Sequence, residues 1–127
     1  MKYLEGLNFN EPASAEELGK IPSMDRLPVD YVEFMKRSNG GHGSVGKEHL
    51  IVFPAQDISS INQVAAVDRF APGLLIFASN GGGQSYAFDL RHEVTSIVKF
   101  YDMDLGDEEP VWCAHTFGGL LAHLMKS

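Results

Sequence analysis

The chain has 127 residues, of which 44% are hydrophobic and 21% charged; this suits one folded domain with its own core and is too short for two. Seventeen acidic residues against ten Lys and Arg give a formal net charge of −7, which disfavours direct nucleic-acid binding because phosphate recognition needs clustered basic side chains. No membrane span is predicted, since no run of about 18 apolar residues occurs.

We predict a single domain over residues 1–127, in which residues 1–13 form a loosely ordered extension. The first residues lack the basic start and the apolar segment of a secretion signal. The single cysteine, Cys113, rules out an internal disulfide. We therefore expect a cytoplasmic protein in a reducing compartment.

Two helices are predicted in the first third of the chain. Ser14 and Glu17 have the spacing of a capping box, so a short helix should begin at Ser14 and end at Pro22. Pro28 suits the first turn of a second helix, and Asn39-Gly40-Gly41 is a typical stop signal. The apolar stripe predicted for this second helix comprises Tyr31, Val32 and Met35, with Phe34 beside it.

A buried strand and a third helix are predicted next. Residues 50–53 form an apolar run closed by Pro54, which is typical of a strand. Asp57 can cap a helix that must finish before Pro72. The apolar stripe predicted for this helix comprises Ile58, Ile61, Val64 and Ala65.

The segment from Leu74 to Asp89 is the most informative part of the sequence. An apolar run stops at three consecutive glycines, residues 81–83, and an alternating run follows, which predicts two strands joined by a sharp turn. Further strands are predicted at residues 94–101 and 109–115, and Thr116 should cap a closing helix. Helices at both ends and in the middle of a strand-rich chain indicate an α+β fold.

The glycine-rich segment from Gly41 to Lys47 matches two phosphate-binding patterns, the dinucleotide fingerprint and most of a P-loop. Both mechanisms need a strand before the glycines and a helix after them, whereas here a helix precedes and a strand follows. Glu48 also stands where a Ser or Thr would hold magnesium. Nucleotide binding is therefore not predicted.

An acidic stretch between the last two predicted strands is a candidate binding site. It resembles a calcium loop, but its glycine falls one place early and Cys113 occupies the twelfth position, where a bidentate Glu is needed. Two interpretations remain, a solvated turn and a docking patch for a basic protein. The candidate partner-binding residues are Asp102, Asp104, Asp107, Glu108, Glu109 and, as an aromatic anchor if it is exposed rather than packed in the core, Trp112.

Catalytic and metal-binding residue sets are weak in this sequence. Cys113 and His115 could share one face of a strand, but no orienting group or oxyanion site is visible, so a packed structural cysteine is expected. His42 and His49 flank the glycine loop without a metal-ligand pattern, and Asp89 is expected to cap a turn. We predict no catalytic residues, no metal and no cofactor.

Two stretches of the chain resemble the SMI1/KNR4 family, also called the SUKH superfamily. Residues 27–35 with Ser38-Asn39-Gly40-Gly41 are similar to its helix opened by Leu-Pro and closed by Asn-Gly-Gly, and residues 72–89 are similar to its strand, glycine turn and strand ending in Asp. Asp57-Ile58 with Asn62 resembles its middle helix. The chain departs from the family at Asn80, where many members carry Asp.

The resemblance implies an α+β fold with a single sheet flanked by helices. With the strands predicted above, we expect a mostly antiparallel sheet of about five or six strands, flanked by N-terminal, middle and C-terminal helices. It also implies a non-catalytic binding role: many bacterial members resemble immunity proteins that block a polymorphic toxin, often a nuclease, and fungal members are regulatory interaction proteins.

Three hypotheses follow for function. The first is an immunity protein whose acidic face meets a basic toxin domain, and the second is a general regulatory interaction module without a toxin partner. The third is a small-ligand binder or enzyme that uses the glycine loops with His42, His49 or Asp89. Oligomeric state is left open by the sequence.

Overall fold

One antiparallel sheet of seven strands organises the part of the chain that the structure describes, and its strands lie side by side in sequence order. The computed structural model describes residues 6–126. The strands are β1 (Leu7–Phe9), β2 (Gly41–Val45), β3 (Glu48–Val52), β4 (Leu74–Ser79), β5 (Gln84–Asp89), β6 (Ser96–Tyr101) and β7 (Val111–Ala114). The predicted α+β class with a single sheet is confirmed.

The predicted count of five or six strands is too low, because no strand was predicted for the two positions at one edge of the sheet. The strand β1 lies inside residues 1–13, the segment predicted to be loosely ordered, and residues 1–5 of that segment are outside the described part of the chain. The strand β2 has the sequence GHGSV, which lacks apolar alternation. The strand β2 forms because β1 and β3 pair with it on both sides. Such pairing with distant strands leaves no local pattern in the sequence of β2.

Over the described residues, five α-helices lie between the strands or after them: α1 (Ala15–Leu18), α2 (Val29–Arg37), α3 (Ile58–Val64), α4 (Val67–Phe70) and α5 (Phe117–Met125). The predicted capping box is confirmed, because Ser14 Oγ accepts from the Glu17 amide at 3.1 Å and Glu17 Oε1 accepts from the Ser14 amide at 3.0 Å. Thr116 caps α5 as predicted. Asp57 precedes α3, but its side chain makes no capping hydrogen bond. Within residues 6–126, no helix combines the length and the apolar character that crossing a bilayer requires.

The larger core lies between the sheet and the helices α2 and α5. Its centre is Tyr31 of α2, whose ring lies 5.3 Å from that of Phe77 and 4.8 Å from that of Phe88. The rings of Phe77 and Phe88 stack at 4.0 Å. Burying each such side chain stabilises the fold by roughly 2 kcal/mol, so this aromatic cluster fixes how α2 sits on the sheet.

A smaller core lies on the opposite face of the sheet, under α3 and α4. Its buried members are Val67, Leu74, Ile76, Ala87, Val98 and Phe100. The helices α3 and α4 are short, with seven and four residues. They cover this face only in part, and the uncovered part becomes a groove beside the acidic stretch.

Candidate protein-binding site

The acidic stretch forms a surface loop between β6 and β7, called here the acidic loop, residues 102–109. It begins with a 3-10 turn over Asp102–Asp104. All five predicted acidic residues lie in it, and four of them are exposed while Asp104 is half-buried. The structure therefore brings the predicted acidic residues together on one surface feature.

Contacts at its start, its middle and its far end hold the acidic loop against the rest of the fold. Ser85 Oγ on β5 donates a hydrogen bond to Asp102 Oδ1 at 2.5 Å. Gly106, at a φ of +86°, packs against the carbonyl of Phe70 in α4 so closely that a Cβ could not fit. At the far end, Arg91 pairs with Glu109 at 2.7 Å. A loop held at both ends and in the middle loses little conformational entropy on binding.

The charges in the loop are unequally neutralised. Arg91 bridges Glu109 and the buried Asp89, to which it donates two hydrogen bonds of 2.9 and 3.0 Å. These hydrogen bonds hold the pKa of Asp89 below its usual value, and the two carboxylates raise the pKa of Arg91. Among residues 6–126, no ion pair is found for the other acids of the loop, which are Asp102, Asp104, Asp107 and Glu108.

An apolar groove of about 700 Å³ runs between the acidic loop and the helices α3 and α4; it is called here the α3 groove. Ile76 and Phe100 lie among the apolar residues that line it. Three exposed apolar side chains also line it: Val64 (88% exposed), Phe70 (50%) and Met103 (88%). The loop thus combines its negative charge with an apolar surface.

Trp112 is 56% exposed on β7, at the edge of the sheet. Its exposure meets the condition under which the sequence predicts an interface anchor rather than core packing. Its cross-strand partner is Val98, whose side chain belongs to the core under α3 and α4. Since directly paired residues share a face, Trp112 lies on the same face of the sheet as the α3 groove.

The chain matches a known protein family over most of its length. The model of the SMI1/KNR4 family (SUKH-1) matches residues 12–123, which is most of the chain. The chain belongs to the SMI1/KNR4 (SUKH-1) family. Among curated proteins, no sequence matches it significantly.

The residues that carry the SMI1/KNR4 resemblance mainly build the scaffold. Asn39, buried at the end of α2, accepts a hydrogen bond from the Ala55 amide at 2.7 Å. Asn62 of α3 bonds both the amide and the carbonyl of Ile76 on β4, at 2.8 and 2.9 Å. Both side chains satisfy backbone groups of neighbouring elements, and so hold the helices in place.

The departure from the SMI1/KNR4 pattern at Asn80 leaves the glycine turn intact. Asn80 Oδ1 accepts hydrogen bonds from the amides of Gly82 and Gln84, at 2.8 and 3.1 Å. A carboxylate oxygen accepts in the same way. Asn80 therefore accepts the turn hydrogen bonds that an Asp side chain could also accept.

The glycine segment and the histidines occupy a hairpin rather than a phosphate site. The segment from Gly41 to Lys47 comprises β2 and the turn into β3, and no helix follows it directly. His42 and His49 are exposed on this hairpin, whereas Asp89 lies buried at the end of β5 beside Arg91. In the described chain, no three His, Cys, Asp or Glu residues are grouped as metal ligands would be.

Cys113 is buried in β7, and burial raises the pKa of its thiol. A raised pKa keeps the thiol protonated, which is the opposite of what an activated nucleophile needs. His115 is exposed, and its ring lies 5.4 Å from that of Trp112. This environment suits the packed structural cysteine expected from the sequence.

The α3 groove has no clear signal in the sequence, and one of its residues lies elsewhere than its sequence pattern suggests. The sequence places Val64 in the apolar stripe of the third helix, but its side chain is 88% exposed. The helix α3 ends at Val64, and the chain turns through Ala66 at a φ of +55° to begin α4. In the sequence, the groove is indicated only by Met103, an apolar residue within the acidic stretch.

Proposed function

We propose that this protein is a non-catalytic, cytoplasmic protein-binding domain, and that it acts as an immunity protein which neutralises a cognate toxin domain by direct binding. The observation that carries the proposal is the acidic loop, which is held in shape by contacts along its length and exposed beside apolar side chains. Membership of the SMI1/KNR4 (SUKH-1) family supports the class of function.

Two properties of the surface would act at different stages of binding. The uncompensated acids would attract a basic catalytic cleft and speed encounter, because complementary charge raises association rates more than affinity. Exposed Trp112 and Met103 would slow dissociation, because buried aromatic and apolar anchors carry most of the binding energy in interfaces.

The direct test is co-expression with the product of the adjacent gene. We expect a complex that survives affinity purification and gel filtration, and we expect cells that express the toxin domain to grow only when this protein is present. If the adjacent gene encodes no toxin, the same surface fits a regulatory interaction module better.

A small-ligand function is tested separately by thermal shift against nucleotides and divalent metal ions. No increase in melting temperature is expected with either, since the surface proposed here is built to meet another protein. A large increase with one of these ligands would contradict the proposal.

A further inference from the structure

We propose that the α3 groove receives a protruding apolar segment of the partner protein, with a Lys or Arg of that segment placed against Asp102 and Asp107. The proposal rests on the proposed function, since it names the part of the partner that this surface binds. The groove would thus contribute a concave apolar binding surface beside the acidic residues, in addition to their charge.

The shape and polarity of the groove suit side chains rather than water. Its volume of about 700 Å³ is within the range of specific binding sites, and it can hold several side chains. Single exposed apolar residues are ordinary on protein surfaces, but Val64, Phe70 and Met103 all border the same concavity. Contact with an apolar segment would remove all three from water.

The charge of the groove selects a basic segment. Its only charged lining residues within the described chain are Asp102 and Asp107, and no Lys, Arg or His lines it. The hydrogen bond from Ser85 fixes the carboxylate of Asp102 at this place. An acidic segment would meet uncompensated carboxylates as it lost its own hydration, whereas a basic one would find a partner.

A second copy of this chain fits the groove less well than a basic partner. Each copy carries a formal net charge of −7, so two copies repel each other at long range. The residues beside the groove in the acidic loop, including Glu108, add to this repulsion locally. We therefore expect the occupant to be positively charged, whereas a second copy of this chain carries a net negative charge.

The inference can be tested without the toxin, by selection from a phage-displayed library of random peptides of about 12 residues. We expect enriched peptides that combine apolar residues with Lys or Arg. Their dissociation constants should rise about tenfold in the double variant Val64→Ser, Met103→Ser and about threefold in Asp107→Asn. Matched controls at exposed sites outside the groove, Val94→Ser and Asp25→Asn, should bind as the wild type does.

The inference would be overturned by no enrichment, by enrichment of acidic or of purely apolar peptides, or by selected peptides that bind the Val64→Ser, Met103→Ser variant as tightly as the wild type. A dimer of the wild type that this variant dissociates would show a second copy to be the occupant. Toxin binding that survives groove substitutions would leave the proposed function standing and reject the groove. Failure to co-purify the toxin, with basic apolar peptides still selected, would reject the toxin and keep the groove.

Discussion

The hydroxyl of Ser85 donates a 2.5 Å hydrogen bond to the carboxylate of Asp102, and thereby ties the middle of the sheet to the start of the acidic loop. Ser85 is buried on β5, and Asp102 is exposed directly after β6. Both residues line the α3 groove. This hydrogen bond therefore helps to hold the start of the loop and places the Asp102 carboxylate at the groove.

Replacing Ser85 by Ala should loosen the acidic loop without unfolding the protein. A hydrogen bond to a carboxylate contributes roughly 1.5 kcal/mol, and Ala fits in the space of Ser. We expect a loss of unfolding free energy of this size and faster amide hydrogen exchange over residues 102–107. Ser44→Ala, at an exposed position on β2, is the control and should change neither quantity. Unchanged exchange in the loop would show that the bond does not hold it.

Arg91→Gln should make the protein more sensitive to acid. In the wild type, hydrogen bonds from Arg91 hold the pKa of Asp89 below 3.8, so this carboxylate contributes its full stabilisation above pH 3.8 and loses it as pH falls through the lowered pKa. Without Arg91 that pKa rises, because Asp89 stays buried without its cation.

We therefore expect Arg91→Gln to lose roughly 1 kcal/mol at neutral pH and to begin its acid-induced loss of stability at a higher pH than the wild type. Urea unfolding between about pH 3 and about pH 7 measures both effects. Arg37→Gln removes the same charge from an exposed position on α2 and should leave the acid limb unchanged. If wild type and Arg91→Gln lost unfolding free energy over the same acidic pH range, this role of Arg91 would be contradicted.

Asn62→Ala should destabilise the wall of the α3 groove. The Asn62 amide group bonds both the N–H and the C=O of Ile76, at the point where the β4–β5 pairing is irregular between Ile76 and Ala78. Irregular pairing leaves ladder groups without cross-strand partners, so the side chain substitutes for them. We expect a loss of roughly 2 kcal/mol in urea unfolding, against little change for the exposed neighbour Gln63→Ala. Equal effects of the two substitutions would reject this role.

The sequence predicted best the elements whose signals are local. The capping box of Ser14 and Glu17 needs only a spacing of three residues, and Thr116 with the apolar positions of α5 is equally self-contained. The turn at residues 81–83 was visible because consecutive glycines relax the backbone. Such signals depend only on residues a few positions apart, so they can be identified without knowledge of the fold.

Features that depend on distant contacts could not be predicted. The strand β2 forms through pairing with two other strands. The exposure of Val64 follows from a turn at Ala66, and a positive φ is uncommon at an alanine, so the sequence does not predict it. The acids of the candidate site were identified from the sequence, but the groove beside them requires α3, α4 and the loop to meet in space.

Tyr31→Phe should leave the stability unchanged or raise it by up to about 1 kcal/mol. In the described chain, the Tyr31 hydroxyl is buried without a hydrogen-bond partner, at the centre of the aromatic core. Removing it abolishes a desolvation cost and keeps every ring contact. Thermal unfolding measures the effect, with Phe88→Leu as a control that loses ring packing and should melt lower. A clear loss of stability in Tyr31→Phe would mean that the hydroxyl is bonded.

The central claim is that the acidic loop meets a basic protein partner. It is tested most directly by the association rate constant with the purified toxin domain, measured between about 50 and about 300 mM NaCl. The triple variant Asp104→Asn, Asp107→Asn, Glu108→Gln removes three charges and spares Asp102 and Glu109, which hold the loop in place. The control Glu16→Gln, Asp25→Asn, Glu93→Gln removes three exposed charges elsewhere.

We predict that the loop variant associates about tenfold more slowly at low salt and loses most of its salt dependence, while the control changes less than about twofold. Association of the loop variant at the wild-type rate, with the wild-type salt dependence, would contradict the account.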